Sequence, residues 1–126
     1  MTTSEIGKIG EKLAAKFLKK KHYRIIERNI HLSHNEIDIV VKNKKFIVFV
    51  EVKTRSTDEN MNFNFGSPAS AVDQRKKSRI ITAARTYLKN GKYTRLQPRF
   101  DVIEVFLHSD THKLININHI ENAFGA

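Results

Sequence analysis

Between residues 4 and 21 apolar side chains return every three or four positions (Ile6, Ile9, Leu13, Ala14, Phe17, Leu18), the period of one helical face. Ser4 is placed to cap this helix, and Lys19, Lys20 and Lys21 fall in its last turn, where cations suit the helix dipole. Gly7 and Gly10 interrupt it, each at a cost of about 1 kcal/mol against alanine. Either the first turn frays, or another backbone or a ligand comes close. Residues 23–28 then read as a short strand and the mostly polar residues 29–35 as a loop. Residues rich in Ile, Val and Phe return over 36–42 and 46–54, two strands joined by a tight hairpin at Asn43, Lys44 and Lys45. The run from Phe46 to Val50 is apolar at every position, which predicts a central strand covered on both faces. A polar loop follows over 56–68, with Phe63 and Phe65 expected to fold back on the core. A second helix over 69–90 carries Val72, Ile80, Ile81, Ala84, Tyr87 and Leu88 as its stripe and stops at Asn90-Gly91. Residues 99–107 form a strand, 113–117 a last edge strand, and 119–124 a short turn of helix. The order α-β-β-β-α-β, then the edge strand, predicts an α/β fold: a mixed β-sheet flanked by helices.

At 126 residues this is one domain, 1–126, long enough to bury a core unaided. The absence of cysteine excludes a disulfide framework, a cysteine zinc site, a thiol nucleophile and an iron–sulfur cluster. The formal charge of +10 and pI near 10.0 favour polyanions, nucleic acid first and acidic lipid second. No apolar run approaches the ~20 residues of a membrane span. The N-terminal Met-Thr-Thr-Ser-Glu lacks the regions of a signal peptide, so a cytoplasmic location and no membrane partner are expected. Residues 72–99 hold nine basic residues and one acidic residue, among them Arg75, Lys76 and Arg79. This helix and its following loop are the candidate for tracking a phosphate backbone; a plain solvated face is the alternative. No helix-turn-helix or zinc finger is present, which points to recognition by shape and backbone.

Glu51 and Lys53 are two apart on one strand and project from the same face. A two-residue turn at Lys44-Lys45 sets Asp38 directly across from Glu51. A turn at Asn43-Lys44, favoured by the tolerance of Asn for positive φ, pairs Asp38 with Phe49 and makes Glu51 a diagonal neighbour. A three-residue turn without a bulge would put the two carboxylates on opposite faces. Glu51 follows an apolar run, where an unpaired charge is costly, and two carboxylates on one face repel. A divalent cation resolves both problems, since Mg²⁺ takes one or two carboxylates with waters and phosphate oxygens. The alternative is a cross-strand ion pair of Glu51 or Asp38 with Lys53. Arg55, just beyond, is suited to clamp a phosphate bidentately. His108 and His112 have metal-ligand spacing for a helix but flank a turn.

Asp38, twelve intervening residues and Glu51-Val52-Lys53 resemble the signature of the PD-(D/E)XK nuclease superfamily. Gly10-Glu11, Asn35-Glu36-Ile37-Asp38, Phe49-Val50-Glu51-Val52-Lys53-Thr54-Arg55, Arg99-Phe100-Asp101-Val102 and the terminal Ile120 to Phe124 resemble the YraN-like family, whose members are similar to archaeal Holliday-junction resolvases. Val72, Lys76, Arg79 and Ala84 also match, and the likeness covers nearly the whole chain. Ile37 stands where the superfamily name has proline, a position where proline is often absent. The resemblance implies a restriction-endonuclease-like sheet, with Asp38 and Glu51 as ligands of Mg²⁺ or Mn²⁺ and Lys53 as the catalytic lysine. It also implies Glu11 as an additional acidic residue of the site. Glu36, of the same parity as Asp38, would support the ligands from behind or pair with Lys53. Helical periodicity turns both Lys76 and Lys77 inward, and only the resemblance selects Lys76. The function expected is a metal-dependent endonuclease acting on DNA, branched or otherwise structured, with a homodimer by analogy with resolvases. The alternative is a nucleic-acid-binding module that keeps the fold without turnover.

Overall fold

Two reciprocal hydrogen bonds set the start of the first helix, α1 (Thr3–Lys20). Thr2 Oγ1 accepts from the Glu5 backbone N–H, and the Glu5 carboxylate accepts from the Thr2 N–H, each at 3.1 Å. The cap is therefore Thr2 and not Ser4, because a capping box needs a glutamate three residues on and only Thr2 has one. The structure, a computed structural model, describes residues 1–32, 34–57 and 72–125. Phe63, Phe65, the loop beyond Thr57 and the expected first residues of the second helix, 69–71, lie outside the described residues.

The strands are β1 (Arg24–Leu32), β2 (Asn35–Lys42), β3 (Phe46–Thr57), β4 (Gln97–His108) and β5 (Leu114–Phe124), and the second helix is α2 (Gln74–Leu88). They form one sheet in the order β1-β2-β3-β4-β5; β3 and β4 run parallel and the other pairs antiparallel. α2 is the crossover between the parallel pair. It starts at an Asp73 cap, whose carboxylate accepts from the Lys76 N–H at 2.8 Å. The helices cover opposite faces, as the sequence predicts for an α/β fold. On the α1 side Ala14 and Leu18 pack with Ile39, Val41, Val48, Val50 and Ile103. On the α2 side Ile80, Ala83 and Ala84 pack with Val40, Ile47, Phe49 and Val102. β3 thus has buried residues on both faces, the reason for its unbroken apolar run.

The structure departs from the sequence expectation at the end of β1 and over β5, and it settles the hairpin register that the sequence leaves open. Residues 29–32 continue β1 instead of forming a loop. Their polar members Asn29 and His31 are exposed on an edge strand, while Ile30 is buried. Residues 119–124 are strand and not helix. Ile120, Ala123 and Phe124 all pack on the α2-side core, which mimics helical spacing. Between Phe100 and Val102 the register shifts, β5 spending two more residues than β4 with Asn122 at φ 51°, and this irregularity lets Ala123 join Ile120 and Phe124 on that side. The hairpin turn lies at Lys44-Lys45, since Lys42 pairs with Ile47 and Val41 with Val48. Neither lysine has positive φ. The Asn43 carboxamide oxygen instead accepts from the Lys45 and Phe46 N–H groups at 2.9 and 2.8 Å. Asn43 acts as the residue preceding the turn, so its tolerance of positive φ does not set the register.

Gly10 marks where α1 crosses β3. A Cβ there would lie 1.8 Å from Thr54 Oγ1 and 2.9 Å from Thr54 Cβ. Close approach of a strand, and not fraying, explains this glycine. Gly10→Ala gains about 1 kcal/mol of helix propensity but forces α1 off the sheet, and overpacking costs typically about 1–3 kcal/mol. The expected result is a net loss of up to about 2 kcal/mol in urea unfolding, partly restored by adding Thr54→Ala. A Gly10→Ala protein at least as stable as the parent would rule out the tight crossing.

Candidate functional site

β2 and β3 pair from Lys42/Ile47 as far as Ile39/Val50, and there the ladder ends. Just beyond that point the alternation of β2 breaks: Ile37 and Val40 share the α2 side while Ile39 packs toward α1. Asp38 sits at the break, and its Oδ2 accepts a hydrogen bond from the Val52 backbone N–H at 2.8 Å. The same register brings Asp38 opposite Glu51, the arrangement that a Lys44-Lys45 turn predicts. The separating strands open a cleft of ≈ 240 Å³, lined by Asp38, Glu51, Val52, Lys53 and Thr54, by Thr3, Ile6, Gly7 and Glu11 of α1, and by Lys76 of α2. A side chain at Gly7 would meet nothing within 4 Å, so this glycine leaves the wall open.

The Asp38 and Glu51 carboxyl groups lie within reach of a shared proton. The Glu51 side chain is only 7% exposed. Burial, and then the Asp38 charge, push its pKa up to about 7 against the pull of Lys76. Burial also raises Asp38, opposed by the Val52 N–H and Lys76. Together they hold one proton more readily than two ordinary carboxyls would. Lys76 Nζ lies 2.5 Å from Glu51 Oε1. Burial works to neutralise Lys76, but its bond to Glu51 prevails and keeps it charged. The cation facing the carboxylates is therefore Lys76 and not Lys53. Lys53 is exposed, lines the same cleft, and makes no hydrogen bond or ion pair among the described residues. Lys77, which periodicity could not separate from Lys76, lies over the Phe124 ring at 6.0 Å.

Glu11 leans into the cleft from α1. Its pKa is raised by burial first and by the Asp38 charge second, and lowered by Arg28. Asn29, with its amide nitrogen toward Glu11, donates to both carboxylate oxygens at 2.7 and 3.3 Å. Sequence reasoning missed this residue, reading it as loop. Its only local signal was the tolerance of Asn for the left-handed backbone it adopts, φ 53°. Glu36 is exposed and does not pair with Lys53; it acts on Asp38, Glu11 and Lys76 through its charge. Arg75 and Arg79 are exposed on α2. Arg55 Nε donates to the buried Glu104 at 2.9 Å, so this guanidinium is partly engaged. His108 ends β4, and its Nδ1 accepts from the Asp110 and Thr111 N–H groups of the turn that follows.

Mg²⁺ and Mn²⁺ suit hard oxygen donors, and the half-buried Asp38 with the buried Glu51 matches the one- or two-carboxylate site that Mg²⁺ takes. No group of three or more His, Asp or Glu side chains gathers at ligating distance among the described residues. The remaining ligands of such an ion would be water and substrate oxygens, as open Mg²⁺ sites have. No helix among the described residues is long and apolar enough to cross a membrane.

The chain is 44% identical over 119 residues to a UPF0102 protein of Caldanaerobacter subterraneus, covering 94% of this chain and 93% of that one. It is equally close to a UPF0102 protein of Clostridium perfringens, with the same coverage. A UPF0102 protein of Clostridioides difficile is 41% identical over 124 residues, 98% of this chain and 100% of its own. The family model for uncharacterised protein family UPF0102 matches residues 10–105, a span that takes in Glu11, Asp38, Glu51, Lys53, Lys76 and Asp101. With that match and these relatives, the chain belongs to the uncharacterised protein family UPF0102.

Proposed function

We propose that this protein is a metal-dependent endonuclease that hydrolyses phosphodiester bonds in DNA, with branched or structured DNA as its substrate. One observation carries the reading: a half-buried and a buried carboxyl group, Asp38 and Glu51, meet where β2 and β3 part, in a cleft that also holds a lysine, Lys53, without a partner among the described residues. A pure binding surface for a polyanion has no use for buried carboxylates. They repel phosphate and cost stability.

Asp38 and Glu51 would hold Mg²⁺ or Mn²⁺. Bound there, the ion supplies positive charge at the phosphoryl oxygens and a more acidic water. Lys53, exposed in the cleft and without a partner among the described residues, would orient the attacking water and balance charge as the phosphorus–oxygen bond breaks. Lys76 neutralises Glu51 and faces the incoming phosphate from α2. Glu11 and Glu36 add negative potential that favours a divalent ion, and Asn29 keeps Glu11 in place. Arg75, Arg79 and the exposed part of Arg55 take the flanking backbone. Two copies in a homodimer would present two such clefts to two strands, and light scattering reports that state.

The test is cleavage of branched, single-stranded and duplex DNA with and without Mn²⁺. The parent protein should cut at least one of the three only with metal. Asp38→Asn and Lys53→Ala should each lose about 10²-fold or more while remaining folded. Salt-dependent binding with no cleavage of any substrate would replace this reading by the non-catalytic binding module.

A further inference from the structure

A cavity of ≈ 630 Å³, larger than the cleft, lies at the opposite end of the sheet. It is lined by His22 after α1, Arg24 at the start of β1, and Lys42, Asn43, Lys44 and Lys45 of the β2–β3 hairpin. Four of the six are Arg or Lys and none is acidic. The other cations with buried or half-buried carboxylate partners are satisfied: Arg55 by Glu104, Lys76 by Glu51, Arg99 by Asp101. Among the described residues, Arg24, Lys42, Lys44 and Lys45 have no such partner. Arg24 and Lys42 are direct cross-strand partners. Like charges placed directly opposite destabilise a sheet, and no carboxylate among the described residues pairs with these two.

The connection from α2 to β4 reaches the same end. The Gln97 N–H donates to the Lys45 carbonyl at 2.9 Å, and Tyr93 lines a neighbouring cavity with Arg24 and Lys42. Lys92 and Arg95 lie in this connection. The basic stretch 72–99 is thus not one surface. Lys76 lines the cleft, with Arg75 and Arg79 on the same end of α2, and Lys92 and Arg95 follow the far end of α2, about 20 Å away at roughly 1.5 Å per residue, in the connection that returns to the hairpin.

We infer that the hairpin end of the sheet is a second docking surface, separate from the carboxylate cleft, for the phosphate backbone of a nucleic acid. Lysines with exposed heads and aliphatic stems walling a cavity make phosphate contacts without reading bases. A lipid surface is the poorer occupant. Among the described residues the exposed large hydrophobic ones, Met1 and Leu114, precede α1 and open β5, at the cleft end of the sheet, so no described residue at the hairpin end would insert among acyl chains. From Phe46 to Glu51 is about 17 Å along β3, about five base-pair steps, so a strand held at the hairpin end leaves the cleft free for another segment. The inference does not require cleavage and stands apart from the function proposed above.

Two variants separate the surfaces: Lys44→Gln/Lys45→Gln/Lys92→Gln at the hairpin end and Arg75→Gln/Arg79→Gln at the cleft end of α2. The probe is a fluorescein-labelled 30-base-pair duplex, read by anisotropy over a range of KCl concentrations. The triple variant should bind about tenfold more weakly at 100 mM salt, and its slope of log K against log salt should fall by roughly 2–3, about 0.9 for each lost contact. Its melting temperature should match or exceed that of the parent, because the removed charges repel. An unchanged affinity and slope in the triple variant overturns the inference, as does a parent protein that does not bind the duplex. Loss of binding to vesicles containing phosphatidylserine, with duplex binding intact, also overturns it and assigns the surface to lipid. Failure of every cleavage assay leaves it untouched.

Discussion

Asp101→Asn should cost about 3–5 kcal/mol of unfolding free energy, the loss typical of breaking a buried ion pair from one side. The reason is geometric. Asp101 is fully buried at the C-terminal end of α1, and both its oxygens are saturated. Oδ1 accepts from Arg99 Nε at 2.9 Å and from the Asn122 N–H at 3.0 Å. Oδ2 accepts from an Arg99 terminal nitrogen at 2.8 Å and contacts His119 Nε2 at 2.7 Å. An amide in either orientation sets an N–H donor against other donors and leaves the Arg99 charge without its partner. The network extends from Arg99 to the Tyr23 hydroxyl at 2.6 Å and from His119 Nδ1 to Lys21 Nζ at 2.8 Å, tying α1, β4 and β5 together. Burial alone would raise the Asp101 pKa, but the bonds to His119 and Arg99 outweigh it and hold the carboxyl below the usual range. Its contribution is therefore present above the carboxylate pKa of the unfolded chain and lost as pH falls through the lower folded value. Urea unfolding at neutral pH checks the substitution. A cost below 1 kcal/mol would mean the network is not what joins the three elements. Since a domain has only about 5–15 kcal/mol in hand, the variant should be partly unfolded near 37 °C if the parent is at the low end.

Glu51→Gln should act in the opposite direction. The folded protein binds the Glu51 proton more tightly than the unfolded chain does, with the pKa raised from the ordinary 4.5 to about 7. Stability is then greatest below the unfolded value and falls as pH rises from about 4.5 to about 7. At about 1.4 kcal/mol for each tenfold change in proton affinity, the penalty above pH 7 is as much as about 3 kcal/mol. Gln keeps the shape and removes the charge, at the expense of the ion pair with Lys76, whose side chain is half exposed and can return to water. The variant should exceed the parent by about 1–3 kcal/mol at pH 8 and show no advantage at pH 4 to 5. Parallel pH profiles for the two proteins would exclude the buried, proton-sharing pair. Mn²⁺ should raise the melting temperature of the parent, by a term that reaches about 2.7 kcal/mol at a hundredfold excess over Kd, and should not move the variant. A parent indifferent to millimolar Mn²⁺ would remove the metal site from the free protein. Lys53→Ala, at an exposed position without a partner among the described residues, should leave stability within about 0.5 kcal/mol, whereas a Lys53–carboxylate ion pair would require a clear loss.

How a residue sits on its own element was legible in the chain, because burial leaves a period in the sequence. The unbroken run before Glu51 marked β3 as central, and the spacing of Glu51 and Lys53 set them on one face. The short hairpin limited Asp38 to a few registers relative to Glu51. The resemblance in the ordered motifs identified the family that the comparisons establish. The periodic argument failed where the register of β5 shifts, so the β5 residues Ile120, Ala123 and Phe124 looked helical. It also failed on the edge strand, where Asn29 and His31 face water and carry no burial signal.

What the chain could not specify is which side chains meet across elements. Periodicity gives an orientation about a helix axis but not the axis's position over the sheet, so it could not separate Lys76 from Lys77 or explain Gly10. Only the packed crossing of α1 on β3 shows that Thr54 leaves no room for a Cβ. Only the placement of α2 gives Glu51 the ammonium of Lys76 instead of its strand neighbour Lys53. The same holds for charge. The sequence determined that the protein is strongly basic and that residues 72–99 are the most basic stretch. The reversal of direction at α2, which carries its far end back to the β2–β3 hairpin, decided that this charge divides between two ends of the sheet, because a parallel strand pair requires its crossover to return the chain to the starting edge.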